Sequence, residues 1–108
     1  MDDHWQLTAM TKIEVVVGGE DSAAVAELFA EVGATGFTAL ANVSGLGHGG
    51  YHQGRLLFND RNGLALLLVV LPPDRVAELL DGLRALLASR PGVLMVSDTF
   101  VSRPEYFQ

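Results

Sequence analysis

The chain has no cysteine, and its 108 residues include one lysine, one tryptophan and two tyrosines. Without cysteine there is no disulfide, no thiolate zinc site and no cysteine nucleophile. Basic residues number 7 against 13 acids, a formal net charge of −6 with His neutral. That balance lacks the positive footprint that general nucleic-acid binding needs. It also disfavours docking on an anionic membrane surface. The longest apolar run, Leu64 to Leu71, is too short to span a bilayer. Met1-Asp2-Asp3-His4 is acidic and leads into no apolar stretch, so no secretory signal is read there, and a soluble cytoplasmic protein is expected. What the chain does have is 49% apolar and 19% charged residues, a globular composition sufficient for one domain.

Residues 1–10 show little pattern and are expected to form an extended or disordered lead-in. A single domain is then expected over residues 11–108. Thr11 to Gly18 is rich in β-branched residues and predicts a strand. Gly19-Glu20-Asp21-Ser22 has the chemistry of a capped turn. Val25, Leu28, Phe29 and Val32 recur at helical spacing, and Gly33 stops that helix. Gly36 to Val43 predicts a second strand. Ser44 to Gly54 holds five glycines and two histidines without an apolar period and reads as a flexible loop. Leu56-Leu57-Phe58 predicts an extended segment and Asp60-Arg61-Asn62-Gly63 a turn. Leu64 to Leu71 is an apolar strand. Pro72-Pro73-Asp74 opens a second helix, whose stripe is Val76, Leu79, Leu80, Leu83, Leu86 and Leu87. Val93 to Val101 is the last strand, ended by Pro104.

Val25-Ala26-Glu27-Leu28-Phe29 echoes Val76-Ala77-Glu78-Leu79-Leu80, and each copy lies between two strands. Two β-α-β units in one short chain predict an α+β, ferredoxin-like βαββαβ domain with both helices on one face of an antiparallel sheet. In such a sheet the strands should alternate apolar and polar residues. Neither Leu64 to Leu71 nor Val93-Leu94-Met95-Val96 does. Both faces of these strands want burial, and one chain has no element left for the second face. An obligate homo-oligomer joined through that face is expected.

Gly45-Leu46-Gly47-His48-Gly49-Gly50-Tyr51-His52-Gln53-Gly54-Arg55 is the segment richest in ligand-binding chemistry. Its glycines let backbone come close to a ligand and aim successive N–H groups at an anion. His48, His52 and Arg55 add charge or hydrogen bonds. An anion-binding loop and a long hairpin loop without a ligand both fit these residues. No Walker lysine follows and no helix begins there, so the loop is neither a P-loop nor a dinucleotide fingerprint. Two histidines fall short of the three or four ligands a metal needs. No serine has a His/Asp partner pattern and no carboxylate pair stands out, so no catalytic residue is assigned. Arg90 suits a helix end, and Arg103 follows the last strand.

Taken in order, these residues resemble the P-II signalling superfamily over roughly Lys12 to Arg103. Lys12-Ile13-Glu14-Val15-Val16-Val17 resembles its opening strand. Glu31-Val32-Gly33-Ala34-Thr35-Gly36-Phe37-Thr38 is similar to its helix-to-strand signature. Gly45-Leu46-Gly47-His48 resembles the Gly-x-Gly at the root of its long T-loop. The compact His/Gly loop followed by Gly54-Arg55-Leu56-Leu57-Phe58-Asn59-Asp60 looks most like the carboxysome-associated P-II-like branch. The chain departs from the nitrogen regulators in three ways. The T-loop (44–54) is shorter, the gap from Gly36 to Gly45 is one residue longer, and the B-loop lacks its glycine-rich stretch and lysine. These departures count against carrying over tight ATP binding, 2-oxoglutarate sensing or ammonium-channel control. The role of the modifiable tyrosine is not transferred to Tyr51.

The resemblance implies a trimer that binds ADP or AMP in clefts between subunits, with bicarbonate as co-ligand. It implies a non-enzymatic role in inorganic-carbon uptake or carboxysome-linked CO2 fixation, with a bicarbonate transporter or other membrane target as partner. Carried over residue by residue, Phe37 and Thr38 would lie near the adenine. Gly45, Leu46 and Gly47 would approach the phosphates, and Phe58 and Asn59 would line the base. Gly92 would belong to the shortened B-loop, with Arg90 and Arg103 as phosphate cations. Gly47, His48, Gly49, His52 and Arg55 would form the bicarbonate loop. No metal and no enzyme cofactor are implied. A metal-binding ferredoxin-like trimer resembling the copper-tolerance proteins is the second reading.

Overall fold

The computed structural model describes residues 4–43, 45–47, 50–52 and 63–108. The elements are β1 (Thr8–Gly18), α1 (Ser22–Glu31), β2 (Thr38–Val43), β3 (Gly45–Gly47), β4 (Gly50–His52), β5 (Leu64–Leu71), α2 (Val76–Leu87) and β6 (Gly92–Val101). Strands β2, β5, β1 and β6 form one sheet in that order, every neighbouring pair antiparallel. This is the ferredoxin-like βαββαβ arrangement, with β3 and β4 paired as a separate two-stranded ribbon between its halves. Among the described residues no helix is long and apolar enough to cross a membrane.

The pleat sorts each strand's side chains by parity. Ile13, Val15 and Val17 of β1 and Leu67, Val69 and Leu71 of β5 are buried together. Val25 and Phe29 of α1 and Leu79 and Leu83 of α2 cover them, each pair four residues apart on one helix stripe. The helices approach closely where Gly82 faces Leu28, since a Cβ on Gly82 would lie 3.0 Å from Leu28 Cδ2. α1 ends in a Schellman motif. Gly33, at φ +82°, donates its N–H to the Ala30 carbonyl, and Ala34 donates to that of Phe29.

The opposite parity faces away from the helices. Leu40, Leu66, Val16 and Val93 stand in register across β2, β5, β1 and β6. Leu40 and Val93 are exposed, and Leu66 and Val16 are half-buried. The next row is Thr38, Leu68, Glu14 and Met95. The non-alternating strand Leu64–Leu71 therefore puts apolar side chains on both faces, and among the described residues helices cover one of them.

Four sequence readings shift. Residues 8–10 are not lead-in: Thr8, Ala9 and Met10 pair with Val101, Phe100 and Thr99, and Met10 is buried. That short stretch, without a pattern of its own, takes its order from a partner strand. Asp21 makes no side-chain cap bond to α1. It is buried and bonded to Arg90 instead. The glycine-rich segment read as a loop carries backbone pairing, Gly45 with His52, Leu46 with Tyr51 and Gly47 with Gly50. Pro73 and Asp74 lie in a 3-10 turn, Pro73–Arg75, just before α2. The extended segment expected at Leu56-Leu57-Phe58 and most of the expected turn at Asp60–Gly63 lie outside the described residues.

Candidate functional site

Sequence reasoning placed ten residues around a nucleotide and five around an anion. The structure gathers the described ones at two places. The first joins the segment entering β2 to the turn that follows β6. Phe37 leads into β2 and rests edge-on against buried Phe29, with ring centroids 5.5 Å apart, while 48% of Phe37 stays exposed. Thr38 follows as the first residue of β2, paired with Leu68.

Arg103 follows β6 and precedes a 3-10 turn, Pro104–Tyr106. Pro104 opens that turn with its fixed φ. Because residues three apart eclipse in 3-10 geometry, Arg103 and Tyr106 come face to face. The guanidinium lies over the Tyr106 ring, 5.7 Å from its centroid, and its Nη1 donates to the Tyr106 hydroxyl at 3.2 Å. Thr35 Oγ1 donates to the Tyr106 carbonyl and fastens the turn to the segment that enters β2. Thr35 and Tyr106 were not foreseen. The signal available was the proline after the strand with an arginine and a tyrosine three apart around it.

The second place lies at the other end of the sheet. Gly92 opens β6 opposite Val17 at φ +155°. A Cβ there would lie 2.9 Å from Leu87 Cδ2 and 3.0 Å from both the Val16 carbonyl oxygen and Val17 Cγ1. Glycine at 92 is thus demanded by packing as well as by conformation. Arg90 donates from Nη1 to Asp21 Oδ1 at 2.6 Å. The Asp21 carboxylate is buried and the Arg90 side chain is half-exposed. Arg90 therefore neutralises a buried charge, where the sequence suggested a favourable helix end and the family resemblance a phosphate cation. The ribbon holding Gly45, Leu46 and Gly47 follows β2 at this end, where Val43 pairs with Leu64 and Gly19 donates to the Gly63 carbonyl at 2.9 Å.

Gly92 and Val101 are nine steps apart on β6, about 30 Å at strand rise. One chain therefore does not bring Arg103 together with Arg90, Gly92 and the ribbon, while Thr38 stands level with Met95, three steps from Gly92. Phe58, Asn59, His48, Gly49 and Arg55 lie outside the described residues, and His52 is described only by its backbone pairing. Among the described residues no three His, Asp or Glu side chains converge as metal ligands.

The described arginines differ in what they leave free. Arg75 donates to the Gly33 carbonyl at 2.8 Å, Arg84 lies 4.0 Å from Asp81, and Arg90 is taken by Asp21. Arg103 meets only a phenol and its π face, and no carboxylate pairs with it among the described residues. Its charge remains available to an anion, and four of its five N–H donors remain unused by Tyr106.

Comparison with known proteins agrees with this architecture. The chain superposes with a TM-score of 0.84 and 30% identity on CPII, a nitrogen regulatory PII-like protein from Thiomonas intermedia K12 bound to ADP, AMP and bicarbonate, covering 94% of this chain and 96% of that one. A second structure of CPII, bound to ADP and bicarbonate, matches with a TM-score of 0.84 and 28% identity over 95% and 98% of the two chains. A PII-like signalling protein from Thermus thermophilus matches with a TM-score of 0.73 over 94% and 98%, at 16% identity, a likeness of fold alone. No curated protein matches the chain. The family described as nitrogen regulatory protein P-II matches residues 10–106, from the buried start of β1 to the turn that carries Tyr106. Sheet order, helix placement and that near-complete match lead to one conclusion: the chain belongs to the nitrogen regulatory protein P-II family.

Proposed function

We propose that this chain is a non-enzymatic sensor that binds ADP or AMP between the subunits of a homotrimer, with bicarbonate as co-ligand. The observation that carries this reading is the match along nearly the whole chain to a protein held with ADP, AMP and bicarbonate. P-II proteins are signalling proteins, and trimers are typical of the family. The distance of Arg103 from Gly92 and Arg90, about 30 Å along β6, supports a composite site, since groups that far apart on one chain meet at one ligand only across copies. Phe37 and Thr38 then flank the adenine, and Arg103 neutralises phosphate. Gly45, Leu46 and Gly47 of a neighbouring copy offer backbone N–H groups to the phosphates. Gly92 and Arg90 stand beside them, while Phe58 and Asn59 line the base. Bicarbonate takes the remaining amides of Gly47 and Gly49 with His48, His52 or Arg55. The physiological role is regulation of inorganic-carbon uptake or carboxysome-linked CO2 fixation in the cytoplasm, through a bicarbonate transporter or another membrane target.

Calorimetry with ADP, AMP and ATP, each with and without bicarbonate at constant pH and ionic strength, tests the reading. ADP or AMP should bind, and bicarbonate should tighten that binding. If neither binds, the nucleotide role is lost. If they bind equally well without bicarbonate, only a nucleotide-binding protein remains. Arg103→Ala should weaken ADP by about 1–3 kcal/mol, the range for losing a charged hydrogen bond.

A further inference from the structure

Tyr106 lies outside every residue set considered so far, yet it holds Arg103 and is itself held by Thr35. We propose that Tyr106 is a positioning residue of the nucleotide site, a strut that fixes the Arg103 guanidinium for phosphate and ties it to the base-side residues Phe37 and Thr38. This rests on the nucleotide reading above and adds to it a residue and a linkage.

Three contacts carry the inference. The guanidinium carbon of Arg103 lies over the Tyr106 ring, 5.7 Å from its centroid, and the Tyr106 hydroxyl takes one Nη1 donor at 3.2 Å. An arginine side chain otherwise spreads over many rotamers, and fixing it costs up to about 2 kcal/mol of entropy on binding. A ring and a hydroxyl that fix it beforehand lower that cost for an incoming anion. Neither contact neutralises the charge, so Arg103 is oriented without being consumed. Arg90 is the counter-example, held by a buried carboxylate.

The third contact is the anchor. The Tyr106 carbonyl accepts from Thr35 Oγ1, and its N–H donates to the Arg103 carbonyl at 3.0 Å. Thr35 is two residues before Phe37 in the segment entering β2. The turn after β6 is thereby joined to the start of β2. Tyr106 is 59% exposed, so core packing does not account for a ring at this position.

The test is binding of ADP and of adenosine to the full chain and to Tyr106→Ala, Tyr106→Phe, Thr35→Val, Arg103→Ala and the Arg103→Ala/Tyr106→Ala double variant. Light scattering and far-ultraviolet circular dichroism check assembly and fold. Tyr106→Ala should weaken ADP about tenfold and adenosine less than twofold, because only the phosphate contact depends on Arg103. Tyr106→Phe, which keeps the ring and loses the hydroxyl, should fall between. Thr35→Val should weaken ADP in the same direction. The double variant should bind ADP no more weakly than Arg103→Ala alone, since the two residues act as one unit. ADP affinity within twofold of the parent in Tyr106→Ala, while Arg103→Ala is impaired, overturns the inference and leaves the nucleotide reading standing. Fully additive losses in the double variant, or equal losses for ADP and adenosine, also overturn it. Absence of ADP binding by the parent chain overturns the nucleotide reading itself and the inference with it.

Discussion

Arg90 and Arg103 were both expected to face phosphate, and their surroundings give them different duties. Asp21 is buried beside the start of α1 and has Arg90 as its ion-pair partner, so removing the guanidinium leaves a carboxylate desolvated without compensation. Arg90→Ala should destabilise the fold by about 1–3 kcal/mol, and Asp21→Asn in the same chain should recover part of the loss. Urea denaturation measures both, and an unmoved midpoint in Arg90→Ala would show that the pair is not structural. Gly92 has a second kind of constraint. Its φ of +155° and the three atoms within about 3 Å of an added Cβ leave a methyl group no place. Gly92→Ala should cost at least about 2 kcal/mol from backbone strain and overpacking. Loss of nucleotide binding in that variant without loss of stability would contradict this and point to a direct ligand contact.

The elements around the glycine-rich segment were the hardest to foresee. Between Ala41 and Val43 the register with β5 slips by one, with Asn42 at φ +60° as the extra residue of a bulge. Asparagine tolerates that left-handed conformation better than most residues. The segment from Gly36 to Gly45 includes this extra residue. Beyond it, β3 and β4 pair over three residues each, four of the six being glycine or histidine. Glycine costs more backbone entropy to order than other residues, so a ribbon this short gains most from a ligand that shares the cost. Bicarbonate and nucleotide should then strengthen each other by the same factor. Gly47→Pro removes the N–H and restricts φ where Gly47 pairs with Gly50. It should abolish the mutual effect and leave the oligomer intact. Coupling that survives in Gly47→Pro, measured by nucleotide titration with and without bicarbonate, would remove this ribbon from the second site.

Among the described residues no element covers the sheet face that carries Leu40, Leu66, Val16, Val93, Leu68 and Met95. Burying such a face yields roughly 25 cal/mol for each square ångström of apolar surface. Light scattering should therefore give a trimer at micromolar concentration rather than a folded 11.5 kDa monomer. Leu66→Glu places a charge in the middle of that face and should shift the protein toward monomer or weaken assembly strongly. Because the candidate nucleotide residues Gly92 and Arg103 stand at opposite ends of β6, the same variant should lose ADP binding although residue 66 is not assigned to the ligand. A Leu66→Glu monomer that still bound ADP like the parent would refute the composite site.

Much of the fold was legible because it follows from local periodicity. The helix stripes ending at Gly33 and Leu87, the uninterrupted apolar strand from Leu64 to Leu71 and the repeated β-α-β order depend only on which residues are apolar and how far apart they stand. Phe37, Thr38 and Arg103 were singled out because their surroundings resemble a known family, and the Thr35–Tyr106 bond joins the segment before β2 to the turn after Arg103. Other features depend on neighbours distant in sequence. Thr8 to Met10 form strand because β6 lies beside them, and Asp21 is buried because Arg90, 69 positions later, comes to meet it. Thr35 reaches Tyr106 across 71 positions. Periodicity reports what a residue's own element will bury, whereas ion pairs, strand edges and anchored turns depend on which elements end up side by side, and only the folded chain decides that.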